Sequence, residues 1–204
     1  MLSAQSGYIS ACNPFLDGCA SISATGRQIP GALAFRAVQL PYAVVLAAVW
    51  LLSVAWLKSI NAISGNTARW VLICGLVGAV ALVVYVTFLG TKTPLYAFMR
   101  RFGIYFYFLG TALAQVIVAI RVRAASPALG LRRLGGVLLV FAGLPFLLGI
   151  VNLAFKAVLH DPDATENRIE WLAALSMQTY FVCLYLAWRR TDFMLDARSG
   201  TRPG

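Results

Sequence analysis

The sequence predicts an all-α polytopic membrane protein, a bundle of five transmembrane helices with an extracytoplasmic N-terminal loop. Three observations carry that expectation. Hydrophobic residues make up 60% of the 204 positions and charged residues only 12%, far from the globular average, and the mean hydropathy is +0.79. The apolar residues are gathered in five runs, each long enough to cross a hydrocarbon core at about 1.5 Å of rise per residue. Inside a bilayer no water is available to backbone N–H and C=O groups, so each run must satisfy its own and is expected to be a helix.

Residues 1–32 precede the first run and read as an extracytoplasmic cap segment. Within it, the stretch from Cys12 to Arg27 gathers turn formers, two cysteines, hydroxyls and charge in a chain otherwise dominated by hydrocarbon. Ile9-Ser10-Ala11-Cys12 looks like a lipoprotein cleavage box, but no basic segment followed by an apolar one precedes it, so no cleavable signal is expected. The first span, 33–57, carries Arg36, Gln39 and Pro41 in its outer part, and Asn61 with Ser64-Gly65-Asn66-Thr67 makes a short turn. The second, 70–90, holds Gly75, Gly78 and Tyr85, and Cys74 four residues before Gly78 suits close helix packing. After a turn over Thr91–Pro94, Arg100 and Arg101 open the third span, 102–120, which is aromatic in its outer half. Pro127 and Gly130 break the chain again. The fourth span, 134–155, contains Gly135, Gly136, Gly143 and Pro145, which predicts a bent or tightly packed helix. An acidic loop over His160–Glu166 leads to the fifth span, 171–188, and residues 191–204 read as a cytoplasmic tail.

The net charge of +10 would suggest nucleic acid in a soluble protein; here its distribution speaks of orientation, and no nucleic-acid partner is expected. Lys58, Arg69, Arg121, Arg123, Arg132, Arg133, Arg189, Arg190, Arg198 and Arg202 fall on one side, opposed only by Asp192 and Asp196. The other side holds Arg27, Arg36, Lys92, Arg100, Arg101, Lys156 and Arg168 with Asp17, Asp161, Asp163, Glu166 and Glu170. The positive-inside rule then predicts a cytoplasmic C-terminus and, with five spans, an outside N-terminus. The Ala-, Leu- and Arg-rich composition fits a bacterial inner membrane.

Two groups of residues are candidates for specific chemistry. Cys12 and Cys19 flank Pro14 and Gly18 on the oxidising side, where a disulfide or two reduced, buried thiols would both fit. Neither they nor His160, the sole histidine, follow a zinc-ligand spacing, so no metal site is expected. The second group is the polar set at the outer helix ends: Arg36, Gln39, Arg100, Arg101, Asn152, Lys156 and Glu170. Charges at such depth are costly and are usually paired or facing a cavity, although basic side chains there also snorkel to the interface as anchors. Glu170, beside Trp171 at a helix start, can pair with Arg36 or Arg100 and also suits the local helix dipole. Were the set to converge, Ser21, Ser23 and Thr25 would supply donors, and Arg27, Arg36, Arg100 and Arg101 positive charge, for a phospholipid head group. Gln115 and Gln178 would bond neighbouring helices. No catalytic triad, haem-ligating pair or other cofactor signature is present.

The segment Asn13-Pro14-Phe15-Leu16, then Ile22-Ser23-Ala24-Thr25-Gly26, Pro30 and Phe35-Arg36, resembles the first luminal loop of the Frag/DRAM/Sfk membrane proteins, whose members include GPI-lipid-remodelling and autophagy-modulating proteins. Glu170-Trp171, Tyr180-Phe181, Trp188 and Asp192-Phe193 are similar to that family's last helix. The family has six spans, one of them before the loop; this chain keeps the equivalent of the last five. Asp17-Gly18-Cys19 replaces a region without cysteine, so the resemblance lends the disulfide no support. It implies a role in membrane-lipid handling without a settled enzymatic mechanism. The expectation is a non-catalytic protein that binds membrane phospholipid beneath the N-terminal loop. The competing readings are an accessory or assembly subunit of a larger membrane complex, and an intramembrane transferase using Glu170 or His160 as base.

Overall fold

Each apolar run is a helix, and most helices run well past the run's ends. In this computed structural model, which describes residues 2–90, 93–125 and 127–194, the long helices are α3 (Gly31–Ser59), α4 (Gly65–Phe88), α5 (Pro94–Ala124), α6 (Arg132–Val158) and α7 (Asp163–Arg190), all apolar and long enough to span a membrane. Two one-turn helices, α1 (Leu2–Gln5) and α2 (Ile22–Thr25), lie in the N-terminal segment, and a 3-10 turn covers Pro127–Leu129. The length difference has a physical cause. The 31 residues of α5 extend about 46 Å, against a hydrocarbon core of about 30 Å. Hydropathy marks only the part in hydrocarbon, while backbone hydrogen bonding continues into the interface. Arg100 and Arg101 consequently lie inside α5 rather than at its start. Lys92 and the tail from residue 195 on, with Asp196, Arg198 and Arg202, lie outside the described residues.

The helix ends follow local chemistry. Pro94 opens α5 in its first turn, where no N–H is needed. Asp163 and Glu166 occupy the first turn of α7, and Arg189 and Arg190 its last, each matching the helix dipole. α4 stops at Phe88 because Gly90 turns the chain at φ +89°, where a Cβ would lie 2.7 Å from the Arg27 carbonyl oxygen.

The helices pack in chain order, α3 on α4, α4 on α5, α5 on α6 and α6 on α7. Small residues bring α4 and α5 into backbone contact: a Cβ on Gly110 would lie 2.6 Å from the Cys74 carbonyl oxygen, and one on Gly103 2.8 Å from the Tyr85 nitrogen. Trp50 of α3, fully buried, fills the space above Gly75. α7 reaches α5 through a buried amide, with Gln115 Nε2 donating to the Met177 carbonyl at 3.1 Å and Tyr180 Oη donating to the Gln115 carbonyl at 3.0 Å. Side chains bridge α3 and α7: Trp50 meets Phe181 edge-on at 5.7 Å, Trp56 meets Trp188 at 6.4 Å, and Gln178 Nε2 donates to Tyr42 Oη at 3.0 Å. α6 is the peripheral helix, with 17% of its most apolar window buried against 33–50% in the others.

Trp56, fully buried, donates its indole N–H to Thr191 Oγ1 at 2.8 Å just beyond the end of α7. Thr191→Val leaves that donor without a partner and is expected to cost about 1–2 kcal/mol, with Thr191→Ser close to wild type. Thermal denaturation of the detergent-solubilised protein measures both, and equal midpoints for valine and serine would remove this bond from the account.

Candidate functional site

The N-terminal segment folds over one end of the bundle through contacts with α7. Asn13 starts a side-chain-closed turn, its Oδ1 accepting from the Phe15 N–H at 3.0 Å while the Asp17 carboxylate accepts from the Asn13 N–H at 2.9 Å. The turn places the Phe15 ring edge-on to Trp171, 5.5 Å between centroids. Gly18, at φ +66°, lets the chain pass against the backbone of Ala164, where a Cβ would overlap the carbonyl. Asn167 Nδ2 donates to the Gly18 carbonyl at 2.8 Å and Trp171 Nε1 to the Ala20 carbonyl at 2.9 Å. Cys12 and Cys19 are joined by a disulfide. Ser21 then caps α2, its Oγ accepting from the Ala24 N–H at 3.1 Å. At the far side, Ser3 Oγ donates to the Thr25 carbonyl at 2.6 Å, tying α1 to α2.

Beneath this roof lies a cavity of about 510 Å³ between α3, α4, α5 and α7. Phe15, Ile22 and Thr25 form its ceiling. Its walls are aromatic and aliphatic, chiefly Phe35, Ile104, Phe108, Trp171 and Leu175, with polar groups from Gln39, Tyr42, Tyr85, Tyr107, Glu170 and Gln178. The Tyr42–Gln178 hydrogen bond, with Tyr107 beside it, makes a polar cluster on the wall. Among the described residues, Glu170 is the one formally charged side chain in the lining. Its carboxylate faces the backbone N–H groups of Ile22 and Ser23, with Arg27 within charge–charge range. The buried Tyr85 hydroxyl faces Ser23 without completing a hydrogen bond, in the combined field of Glu170, Arg27 and Arg100.

The residues singled out from sequence separate into three groups. Thr25, Gln39 and Glu170 line the cavity. Ser21, Ser23 and Arg27 stand beside it, bonded to one another: Ser21 Oγ lies 3.0 Å from Ser23 Oγ, which accepts from Arg27 Nη2 at 2.8 Å. Arg100 is within electrostatic reach of Tyr85 but outside the lining, and Arg101 is exposed. Arg36 turns away altogether, donating to the carbonyls of Leu89 at 3.0 Å and Thr87 at 3.5 Å. Those acceptors are left free where α4 ends, so Arg36 serves as a helix C-cap. Accordingly, no ion pair joins Glu170 to Arg36 or Arg100; among the described residues the ion pair is Lys156–Glu166 at 2.8 Å. His160 is exposed in the α6–α7 connection. The aromatic half of the third span also divides: Tyr107 and Phe108 face the cavity, while Phe102, Tyr105 and Phe106 face outward.

The lining is therefore tyrosine- and amide-rich around one carboxylate, with its basic groups at the margin. Sequence reasoning missed Tyr42, Tyr85 and Tyr107 as site residues. Their signal was three polar-tipped aromatics within apolar runs, each needing somewhere to place a hydroxyl. Comparison of this chain with protein-family models, with curated proteins and with solved structures returned no match.

Proposed function

We propose that this protein binds a membrane phospholipid in the cavity beneath its N-terminal cap and acts without catalysing a reaction on it. The observation that carries the reading is the single carboxylate of Glu170 in an otherwise aromatic and amide lining, with Arg27 and Arg100 at the margin. That pattern fits a zwitterionic head group. Its ammonium would sit against Glu170 and the ring faces, which attract cations, and its phosphate would lie toward Arg27 and Arg100. The cavity volume falls within the range of small-molecule sites, and the apolar walls suit the glycerol and upper acyl carbons. Among the described residues the lining pairs Glu170 with amides and tyrosines, and we read the site as one of binding. We place the cap on the outer face of a bacterial inner membrane by the positive-inside rule.

Native mass spectrometry of the protein extracted in mild detergent tests this. Wild type is expected to carry phospholipid, and Glu170→Gln, which keeps the shape and removes the charge, to lower the lipid-bound fraction about tenfold, in line with loss of one charge-assisted bond. Unchanged lipid in both Glu170→Gln and Arg27→Gln would overturn the proposal.

The accessory-subunit reading has its own support in α6, where a Cβ at Gly143 or Gly149 would meet no other helix within 4 Å among the described residues. Reproducible co-elution of a larger partner would favour it over a lipid-loaded monomer or homodimer.

A further inference from the structure

At the opposite end of the bundle, four arginines from three helices converge on one cavity. Arg123 comes from the last turn of α5, Arg132 and Arg133 from the first turn of α6, and Arg190 from the last turn of α7. Together with Gly130 and Gly136 they line about 670 Å³. Glycine shapes this basin. Gly130, at φ +61°, lies against the Arg190 guanidinium, and a Cβ there would be 2.7 Å from Nη2. Gly135 packs on the Arg123 backbone, bringing that arginine over the start of α6.

None of the four guanidinium groups has a hydrogen-bond or ion-pair partner among the described residues, where the ion pair lies near the cap, at Lys156–Glu166. The first turn of α6 adds charge of the same sign, because its N-terminal N–H groups have no side-chain cap and the helix dipole is positive there. Arg132 and Arg133 thus sit at the helix end that disfavours cations. Membrane orientation explains why this end is basic, but that rule counts charges in a loop and asks for no convergence from three helices on one basin.

We infer that this basin binds a phosphate group, carried by the head of an anionic membrane lipid or by a soluble phosphate compound. Guanidinium forks match phosphate oxygens two at a time, and backbone N–H groups at a helix N-terminus complete such sites. An anion there relieves the mutual repulsion of four like charges, and the site's place at the helix ends puts it level with lipid head groups. The inference is independent of the cavity under the cap.

The full chain in lipid nanodiscs tests it, with phosphatidylcholine alone or mixed with phosphatidic acid. Native mass spectrometry reads the retained phosphatidic acid, and the thermal midpoint in phosphatidylcholine particles is compared in inorganic phosphate and in chloride of equal ionic strength. Wild type is expected to retain phosphatidic acid in preference to phosphatidylcholine. The pair Arg132→Gln and Arg190→Gln is expected to lose that retention about tenfold, consistent with loss of charge-assisted bonds. The pair Arg132→Lys and Arg190→Lys keeps charge and orientation and is expected to lose it several-fold, because lysine lacks the fork. Stabilisation of wild type by inorganic phosphate without phosphatidic acid retention supports the site and assigns it to a soluble phosphate. Absence of both responses in wild type, or a lysine pair that responds as wild type does, overturns the inference.

Discussion

Gly110→Leu is expected to be strongly damaging to the bundle, lowering stability by on the order of 3 kcal/mol or more. At Gly110 the neighbour is backbone: the Cys74 carbonyl oxygen at 2.6 Å and the Gly78 nitrogen at 3.0 Å from a built Cβ. No rotamer change relieves that overlap, so α4 and α5 must move apart. In a bilayer, association of helices rests on such close packing rather than on exclusion of water. Their separation would also shift Tyr85 and Tyr107, which line the cavity from these two helices. Gly143→Leu on α6 is the control, since a Cβ there meets nothing within 4 Å. Thermal midpoints of both variants in the same detergent decide the matter. A Gly110→Leu protein as stable as Gly143→Leu would show that the α4–α5 contact is looser than described.

Gly18→Val is expected to release the cap while leaving the five long helices intact. A β-branched residue in the left-handed region costs about 1–2 kcal/mol, and the Cβ would in addition overlap the Ala164 carbonyl on α7. The adjacent bonds from Asn167 and Trp171 and the Phe15–Trp171 ring contact depend on the same close approach. Hydrogen exchange over residues 13–25 should rise by at least about tenfold, in line with the energy of the left-handed conformer; on the proposed function, the lipid-bound fraction should fall with it. Unchanged protection over that stretch in the valine variant would mean that the cap docks through contacts other than these.

The bundle was legible because its governing constraint is local: a chain segment in hydrocarbon bonds its own backbone, and hydropathy reports where the hydrocarbon is. Interhelical bonding by Gln115 and Gln178 could be expected on the same grounds, since an amide in an apolar run must find a partner, and the structure supplies Met177 and Tyr42. The role of Arg36 was not legible. Its partners are main-chain carbonyls of α4 more than fifty positions away, and carbonyls leave no mark in a sequence. A charged side chain invites a search for an opposite charge, which is why Glu170 looked like its mate. The three cavity tyrosines were hidden for a related reason. Tyrosine in a membrane helix commonly anchors at the interface, and only the packing of α3 against α4, α5 and α7 turns Tyr42, Tyr85 and Tyr107 toward one volume. At the other end, the count of arginines was plain in the sequence, but their convergence depended on the close approach of Gly130 and Gly135 to Arg190 and Arg123.

The seam between α3 and α7, bridged by side chains, has a bearing on biosynthesis. The chamber above it takes Phe15 from the cap and Gln178 from α7, so it needs the whole stretch from residue 15 to residue 178. Chains emerge from the ribosome N-terminus first. The cap must therefore wait, without its main support, until Asn167, Glu170 and Trp171 arrive. A nascent chain stalled before α7 would have the cap segment undocked and the chamber unformed, so occupancy by the proposed lipid would report that α7 has been made.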